Sequence, residues 1–198
     1  VHTEMFCPAR RPQMASVKPG MFQPPPRAAR KGTVVREDAA ALLEGEKIRL
    51  RAVKVVREEP EGVPLEGAEV VVAGGFGIGG KEPWALLEDL ARELSGAVGC
   101  TRPALDEGWT SGEHTMIGTS GKTVRPKVYL GFGISGSPHH TVGIKDAGVI
   151  VSVNSDPRAP VFESSDYCVV SDFRKIVPAL IREIRKVKGG GLREPSPA

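Results

Sequence analysis

Long apolar runs and paired cysteines are both missing from this 198-residue chain. No apolar run approaches the roughly 18 residues that a membrane-spanning helix needs, so we expect no membrane insertion. Cys7, Cys100 and Cys168 form no Cys-x-x-Cys pair, which argues against a zinc site and against a disulfide framework. Without a visible secretory signal, this cysteine usage favours a reducing compartment: the cytoplasm, or the mitochondrial matrix of a eukaryote.

Positive charge is concentrated in the N-terminal part of the chain. Residues 1–59 carry 12 Lys and Arg against 7 Asp and Glu, whereas residues 60–198 carry 15 against 17. No RNA- or DNA-binding motif accompanies the basic residues, so we expect no nucleic-acid partner. A solvated surface, a surface for a protein partner and a surface for an anionic ligand all stay open as interpretations.

Composition divides the chain into an arm, a domain and a tail. Residues 1–62 are predicted to form a basic N-terminal arm and a remnant of a first domain, because Pro, Arg and Met dominate its first half. Short strands are predicted within it at 33–36 and 48–57. Residues 63–188 are predicted to form the folded domain, and residues 189–198 a flexible tail.

Strand and helix patterns alternate within the predicted domain. Short, nearly continuous apolar runs are typical of buried parallel strands, and the stretches between them have helical period. The alternation predicts an α/β fold with a mostly parallel, Rossmann-like sheet covered by helices. Asp172 is predicted to cap the last helix, and Pro178 to kink it or to begin a fresh helix. The predicted strands are 69–73, 97–100, 128–132, 149–153 and 167–170, and the predicted long helices are 82–94 and 173–187.

Three polar loops give the strongest functional signal. The loops at 118–123, 133–140 and 153–157 are rich in glycine, hydroxyl or amide residues, and the last two directly follow predicted strands. Glycine lets the backbone approach a ligand, while hydroxyl, amide and free N–H groups bind phosphate and ring edges. Together the loops predict one large nucleotide-like ligand lying across a sheet edge.

A glycine turn, Gly75-x-Gly77-x-x-Gly80, lies between a predicted strand and a predicted helix, which is the context of a dinucleotide-binding motif. A nicotinamide enzyme carries an acidic residue about 20 residues further on. This chain has Arg102 there instead, which counts against NAD. An NAD(P)-binding oxidoreductase domain and a cofactor-free module that docks a partner nevertheless stay open as alternatives.

A series of short motifs runs in fixed order through the predicted domain. They are Val-Val-Ala-Gly-Gly at 71–75, Ala-Val-Gly-Cys-Thr-Arg at 97–102, Gly-Thr-Ser-Gly-Lys-Thr-Val at 118–124, Gly-Ile-Ser-Gly at 133–136, His140 with Lys145 and Asp146, Asn-Ser-Asp-Pro-Arg-Ala-Pro at 154–160, and Asp166 with Tyr167. In order and spacing, residues from about 69 to 187 closely resemble the FAD-binding domain of the electron-transfer flavoprotein alpha subunit. Residues 11–20 resemble the segment just upstream, so the chain resembles a C-terminal portion of that subunit.

This resemblance implies that the cofactor is FAD and that single electrons pass between dehydrogenases and an acceptor. It also implies a heterodimer with the electron-transfer flavoprotein beta subunit. No Ser-His-Asp set, pair of catalytic acids or metal cluster is evident in the sequence. We therefore expect a redox-active electron carrier rather than a stand-alone catalyst.

The resemblance also assigns residues to the flavin half of the cofactor. Arg102 would lie over the isoalloxazine ring, Ser120 would reach the reactive ring nitrogen, and His140 would bond the pyrimidine edge. Positive charge and hydrogen-bond donors at that edge stabilise negative charge on a reduced flavin, and we expect Arg102 and His140 to supply them.

For the other half, the resemblance places Ser135 and Gly136 by the pyrophosphate, Asn154 by the adenosine and Asp172 near the adenine end. The full set of predicted cofactor-binding residues is Thr101, Arg102, Ile117, Gly118, Thr119, Ser120, Ser135, Gly136, Ser137, Pro138, His139, His140, Asn154, Asp172 and Phe173.

Two positions depart from the family pattern. Phe76 stands in the glycine turn where the family usually has Arg, and Ser155 stands where it usually has Lys. Because a charge-assisted Arg–phosphate bond contributes about 1.5–3 kcal/mol, we expect either weaker FAD binding or compensation by other groups.

Overall fold

Five apolar runs of four to six residues pair into one all-parallel sheet in the computed structural model. Their spatial order is β2-β1-β3-β4-β5, so the chain runs outward from β1 to β2 and then crosses back to β3 on the other side. This confirms the predicted α/β fold, with strand ends that fall within one residue of the predicted ones. The strands are β1 Val70–Gly74, β2 Ala97–Cys100, β3 Val128–Phe132, β4 Val149–Asn154 and β5 Tyr167–Val170.

The structure describes residues 4–9, 11–17, 25–26, 28–29, 31–45, 53–55, 62–110 and 112–190. The chain divides into two compact units, one made of residues 1–21 with 60–198 and the other of residues 22–59. The sheet lies in the larger unit. The smaller unit contains one described helix, α1 at Ala39–Leu42, which Asp38 caps through a 2.9 Å bond from the N–H of Ala40.

Two long helices cover one face of the sheet, and mainly loops cover the other. The apolar side of α2 (Lys81–Glu93) packs with that of α5 (Phe173–Gly190) against the face that carries Val72. The opposite face, which carries Val71 and Tyr129, is covered by loops and short helices. On this second face lie α4 (Pro138–Thr141), whose His140 bonds Tyr129, and the 3₁₀ turn at Pro160–Ser164. By contrast, α3 (Arg102–Asp106) and the 3₁₀ turn at Phe76–Ile78 bury Ala104 and Ile78 in the same cluster as Val72. A further 3₁₀ turn is formed by Glu113–Thr115.

The last helix begins as predicted but continues past Pro178. The carboxylate of Asp172 accepts a 2.9 Å bond from the N–H of Arg174, which confirms the predicted cap. Of the two alternatives that we predicted at Pro178, a kink or a fresh helix start, the fresh start is wrong, because a single helix runs through this residue. The apolar contacts of Val177 and Ile181 in the core hold the turns on both sides of the proline.

The predicted N-terminal strands are not found where the structure describes the chain. Residues 33–36 form no strand, and Val34 and Val35 are exposed. Within the predicted strand 48–57, residues 53–55 are likewise not a strand, and the rest lies outside the described residues. An apolar run alone does not make a strand, because a strand needs a neighbour to bond its backbone. Among the described helices, none is long and apolar enough to cross a membrane.

Candidate functional site

The loops that follow β1, β2, β3 and β4 enclose a cavity of about 670 Å³ at the carboxyl edge of the sheet. The strand order reverses between β1 and β3, so the loops after these two strands diverge and leave a crevice there. The volume falls in the range of about 300–1,000 Å³ that is usual for ligand and cofactor pockets. The predicted nucleotide-type ligand would therefore have room where α/β folds commonly bind one.

The structure brings most of the predicted cofactor-binding residues to this cavity. Gly136 and Pro138 do not line it, although their chain neighbours do. Asp172 and Phe173 line a smaller cavity of about 140 Å³, which shares Asn154 with the large one. Those that line the large cavity are Thr101, Arg102, Ile117, Gly118, Thr119, Ser120, Ser135, Ser137, His139, His140 and Asn154.

Much of the remaining cavity wall is apolar and was not predicted. Met116 carries no motif signal, whereas Ile134 and Ala159 lie inside motifs at 133–136 and 154–160 whose other residues drew the assignments. The sequence identified Gly77 and Gly133 as parts of glycine-containing loops, but gave no reason to place them in the cavity lining. The lining residues that the sequence analysis did not assign to the site are Phe76, Gly77, Pro103, Met116, Gly121, Gly133, Ile134, Asp156, Ala159 and Pro160.

Backbone contacts between glycines join the loops to one another. The N–H of Gly77 donates a hydrogen bond to the carbonyl of Gly133, with an N···O distance of 2.9 Å. The N–H of Gly75 donates to the carbonyl of Phe132 at the same distance of 2.9 Å. A Cβ at Gly75 would collide with the Gly133 carbonyl. The glycine turn thus packs directly on the loop after β3, and this close approach by itself requires Gly75.

Two further loops are joined in the same way. The N–H of Thr119 donates to the carbonyl of His139 over 2.8 Å, and a Cβ at Gly118 would collide with that carbonyl. Gly136 has φ +96°, and a Cβ there would collide with the backbone of Val161. The cavity wall is therefore a set of loops bonded backbone to backbone.

Asn154 connects the loop after β4 to the loop after β3. Its Nδ2 donates to the carbonyl of Ile134 over 2.8 Å, and its Oδ1 accepts from the N–H of Asp156 over 2.9 Å. The amide therefore orients two loops at the place where the large and small cavities meet.

Permanent positive charge is scarce at the cavity. Arg102 is the only Arg or Lys among the lining residues that the structure describes. Its Nε lies 2.7 Å from the carboxylate of Asp106, one turn along α3, and its side chain is 62% exposed. Such an exposed ion pair contributes at most about 1 kcal/mol to stability, so an anionic ligand can compete with Asp106 for the guanidinium.

Lys122 and Phe76, two other residues of the predicted loops, are engaged within the protein. Lys122 forms an ion pair with Glu66, which lowers the pKa of that carboxyl. Phe76 stacks on Trp109, with ring centroids 5.6 Å apart and planes inclined by 22°. The aromatic residue at this position is thus part of a packed pair at the cavity wall, although Phe76 itself is 59% exposed.

His140 is buried at the cavity wall and both of its ring nitrogens are occupied. Nδ1 lies 3.1 Å from the carbonyl of Ile117, and Nε2 lies 2.8 Å from the hydroxyl of Tyr129. Burial lowers the pKa of His140 to about 4. The imidazole is neutral at neutral pH, so among the described lining residues Arg102 supplies the positive charge.

Comparison with known proteins agrees with this geometry. Residues 64–145 match the family described as the electron transfer flavoprotein FAD-binding domain. The chain is 41% identical to the electron transfer flavoprotein subunit alpha of Thermoanaerobacterium thermosaccharolyticum, over 92% of this chain and 54% of the relative. It is 37% identical to the subunit alpha of Megasphaera elsdenii, over 96% of this chain and 56% of the relative.

A third relative carries a different name. The acryloyl-CoA reductase electron transfer subunit beta of Anaerotignum propionicum is 37% identical, over 93% of this chain and 51% of the relative. The chain thus spans about half the length of the curated relatives that it matches. These matches confirm the family that the sequence motifs predicted.

The collision at Gly136 predicts the effect of adding one methyl group. We expect Gly136→Ala to lower the free energy of unfolding by about 1–3 kcal/mol more than Gly108→Ala does, because overpacking adds to the backbone strain. Gly108 is a matched control, since its φ is +70° but a Cβ there would meet nothing within 4 Å. Urea unfolding of both variants measures the difference, and equal losses would contradict it.

The neutral state of His140 predicts a pH dependence of stability. Its pKa is about 4 in the folded chain against an ordinary 6.5, so the unfolded chain binds more protons between these values. Stability should therefore fall by up to about 3 kcal/mol as pH drops from 6.5 towards 4. Urea unfolding across this range should show the loss in the unsubstituted chain and a shallower dependence in His140→Gln. If the free energy of unfolding depends on pH in the same way in both proteins, the pH dependence does not come from His140.

Proposed function

Since this chain belongs to the electron-transfer flavoprotein alpha-subunit family through its FAD-binding domain, we propose that it binds FAD and acts as an electron carrier between dehydrogenases and an acceptor. The supporting observation is the cavity of about 670 Å³ at the crevice between β1 and β3. FAD supplies the redox chemistry when it is bound, while the protein binds and orients it and sets its electrostatic surroundings.

Backbone donors in the loop after β3 suit the pyrophosphate. The N–H groups of Ser135, Gly136 and Ser137 donate to no acceptor among the described residues. Each hydrogen bond from a neutral donor contributes about 0.5–1.5 kcal/mol, against about 1.5–3 kcal/mol for a charged one. Two or three such N–H groups therefore offset the cation that is absent at Phe76, and we propose that they hold the phosphates.

The flavin would lie against the apolar part of the wall, near Met116 and Ile117. We propose that Arg102, from the start of α3, places its positive charge near the ring where negative charge develops on reduction. Ser120 would offer its hydroxyl, which has no partner among the described residues, to the ring edge.

The electron-transfer flavoprotein beta subunit is the partner that we propose, forming a heterodimer with this chain. The relatives support this proposal, because each of those compared above is named as a subunit. Residues 63–188 would form the FAD-binding domain, preceded by the arm at 1–62. The tail that we predicted at 189–198 would begin only after Gly190, because α5 continues to that residue. A reducing compartment suits the three free cysteines Cys7, Cys100 and Cys168.

Identification of the cofactor tests the proposal directly. The purified chain is incubated with FAD, FMN, NAD⁺ and NADP⁺ together, washed and denatured, and the released molecules are separated by chromatography. We expect FAD alone. Release of only nicotinamide species would favour an NAD(P)-binding oxidoreductase domain. Release of no cofactor, with a stable complex formed with the beta subunit, would favour a docking module.

The position of Arg102 predicts different effects of two substitutions on the reduction potential of bound flavin. Arg102→Ala should lower the potential of the first reduction of bound flavin, by about 60 mV or less, which corresponds to a tenfold change in a one-electron equilibrium. Asp106→Ala is the control, because it removes the competing carboxylate and should raise the potential or leave it unchanged. Stepwise reductive titration with reference dyes measures both, and unchanged potentials in Arg102→Ala would remove this residue from the role.

The departure at Phe76 predicts a gain of affinity. Phe76→Arg should tighten FAD binding by at most about one to two factors of ten, because an arginine can donate a charge-assisted bond to phosphate. Phe76→Leu controls for loss of the stack on Trp109. Equilibrium dialysis should show a gain that shrinks at high salt. If neither salt concentration shows a gain, the turn lies away from the pyrophosphate or another donor already fills the role.

A further inference from the structure

The smaller of the two cavities has its own positively charged residue. Arg174, in the first turn of α5, is the only Arg or Lys that lines this cavity among the described residues. The two cavities adjoin each other, because Gly77, Gly133 and Asn154 line both. A ligand that crosses this junction therefore passes from a region that contains Arg102 to one that contains Arg174.

The guanidinium of Arg174 is held loosely. Its Nη2 lies 3.4 Å from the carbonyl of Ile78, and its Nη1 lies 3.8 Å from the carboxylate of Asp172. Both distances exceed the range of about 2.7–3.2 Å that is usual for hydrogen bonds from N–H to oxygen. The Cζ atom lies 4.9 Å from the ring centroid of Phe173, and the side chain is 55% exposed. Among the described residues, these contacts leave most of the guanidinium N–H groups for a ligand.

These contacts bring positive charge to the glycine turn. Ile78 belongs to this turn, and a Cβ at Gly79 would lie 3.8 Å from Nη2 of Arg174. Phe76, in the same turn, stands where the family pattern has Arg, and Ser155, which lines the small cavity, stands where it has Lys. Helix α5 thus supplies a positive charge at a place where the turn and the loop after β4 lack one.

We propose that Arg174 is a further ligand-binding residue, which donates charge-assisted hydrogen bonds to a phosphate of the adenosine half of the cofactor. Phosphate suits this residue, because a guanidinium presents a planar fork of N–H donors that matches two phosphate oxygens. The N–H groups proposed above for the loop after β3 are neutral, so Arg174 adds the charge that they do not provide. The identification of this phosphate as part of FAD rests on the proposed function.

Asp172 also lines the small cavity and carries the opposite charge. Its Oδ1 accepts a 2.9 Å hydrogen bond from the backbone N–H of Arg174, so this carboxylate is already engaged by the main chain. At 3.8 Å the two side chains form an exposed ion pair without a short hydrogen bond, and such pairs contribute little. A phosphate that accepts two hydrogen bonds therefore displaces Asp172 from the guanidinium.

Removal of the charge tests the role of Arg174 in the full chain. Arg174→Gln should weaken the binding of FAD and of ADP by about tenfold, which the loss of a charge-assisted hydrogen bond predicts, and the effect should shrink at high salt. Lys175→Gln is the matched control, because it removes the same charge from the next residue, which is exposed and lines neither cavity. Equal FAD affinities in Arg174→Gln and in the unsubstituted chain would overturn the proposal.

Two other ligands locate the effect within the cofactor. FMN lacks the adenosine half, and adenosine lacks the phosphates, so Arg174→Gln should leave the affinity for each of them unchanged. A loss for FMN equal to that for FAD would place the effect outside the adenosine half and overturn the proposal. A loss for adenosine equal to that for ADP would show that the guanidinium contacts the base, and would overturn the assignment to phosphate.

Rescue from the glycine turn tests whether Arg174 replaces the charge that is missing at position 76. Phe76→Arg should increase FAD affinity more in the Arg174→Gln background than in the unsubstituted chain, where Arg174 already supplies positive charge. Equal gains in the two backgrounds would show that the positions act independently and would overturn this replacement.

A titration without cofactor separates this proposal from the proposed function. Inorganic pyrophosphate is added to the unliganded, ¹⁵N-labelled chain, and the Nε–H signal of Arg174 is assigned by its absence from Arg174→Gln. We expect this signal to shift and that of Arg182, which is exposed further along α5, to stay unchanged. If FAD does not bind but the shift occurs, the proposed function fails and the anion-binding role of Arg174 is supported. If FAD binds but the shift is absent, the role of Arg174 alone is overturned.

Discussion

The cavity depends on the close approach of backbone to backbone at glycine positions. Gly75 packs on the loop after β3, Gly118 on the carbonyl of His139, and Gly136 on Val161. Each contact leaves no space for a Cβ, and hydrogen bonds between main-chain groups accompany all three. Loops that would otherwise move separately are thereby joined in one wall, which reduces the ordering that a ligand must impose when it binds.

The packing and strand order of the sheet determine where these loops can form a cavity wall. With α2 and α5 packed on one face, the other face is left to short helices and loops, and the reversal of strand order opens a crevice between them. The resulting site is poor in charge. Among the described lining residues, apolar walls, neutral N–H groups and a neutral imidazole surround one arginine and one aspartate, so binding there relies on shape and many weak donors more than on ion pairing.

Sequence predicted the elements whose signals are local. The strands of the sheet follow from continuous apolar runs, and the predicted site residues around Ser120 and Ser135 follow from motifs. Where a signal depends on a distant partner, prediction failed. Val34 and Val35 have the apolar character of a strand, but the described part of the chain offers them no strand to pair with. Met116 in the cavity wall looks like any core residue, and the neutral state of His140 depends on burial and on Tyr129 in another element.

The two tryptophans differ in their exposure to solvent. Trp84, on the inner side of α2, is fully buried, whereas Trp109 is half-buried at the edge of the same core cluster and stacks on Phe76 of the cavity wall. An indole inside an apolar core emits light at shorter wavelength than one with access to water. The chain therefore contains an internal optical reference in Trp84 and, in Trp109, an optical probe of the Phe76 position beside the cavity, without any attached dye.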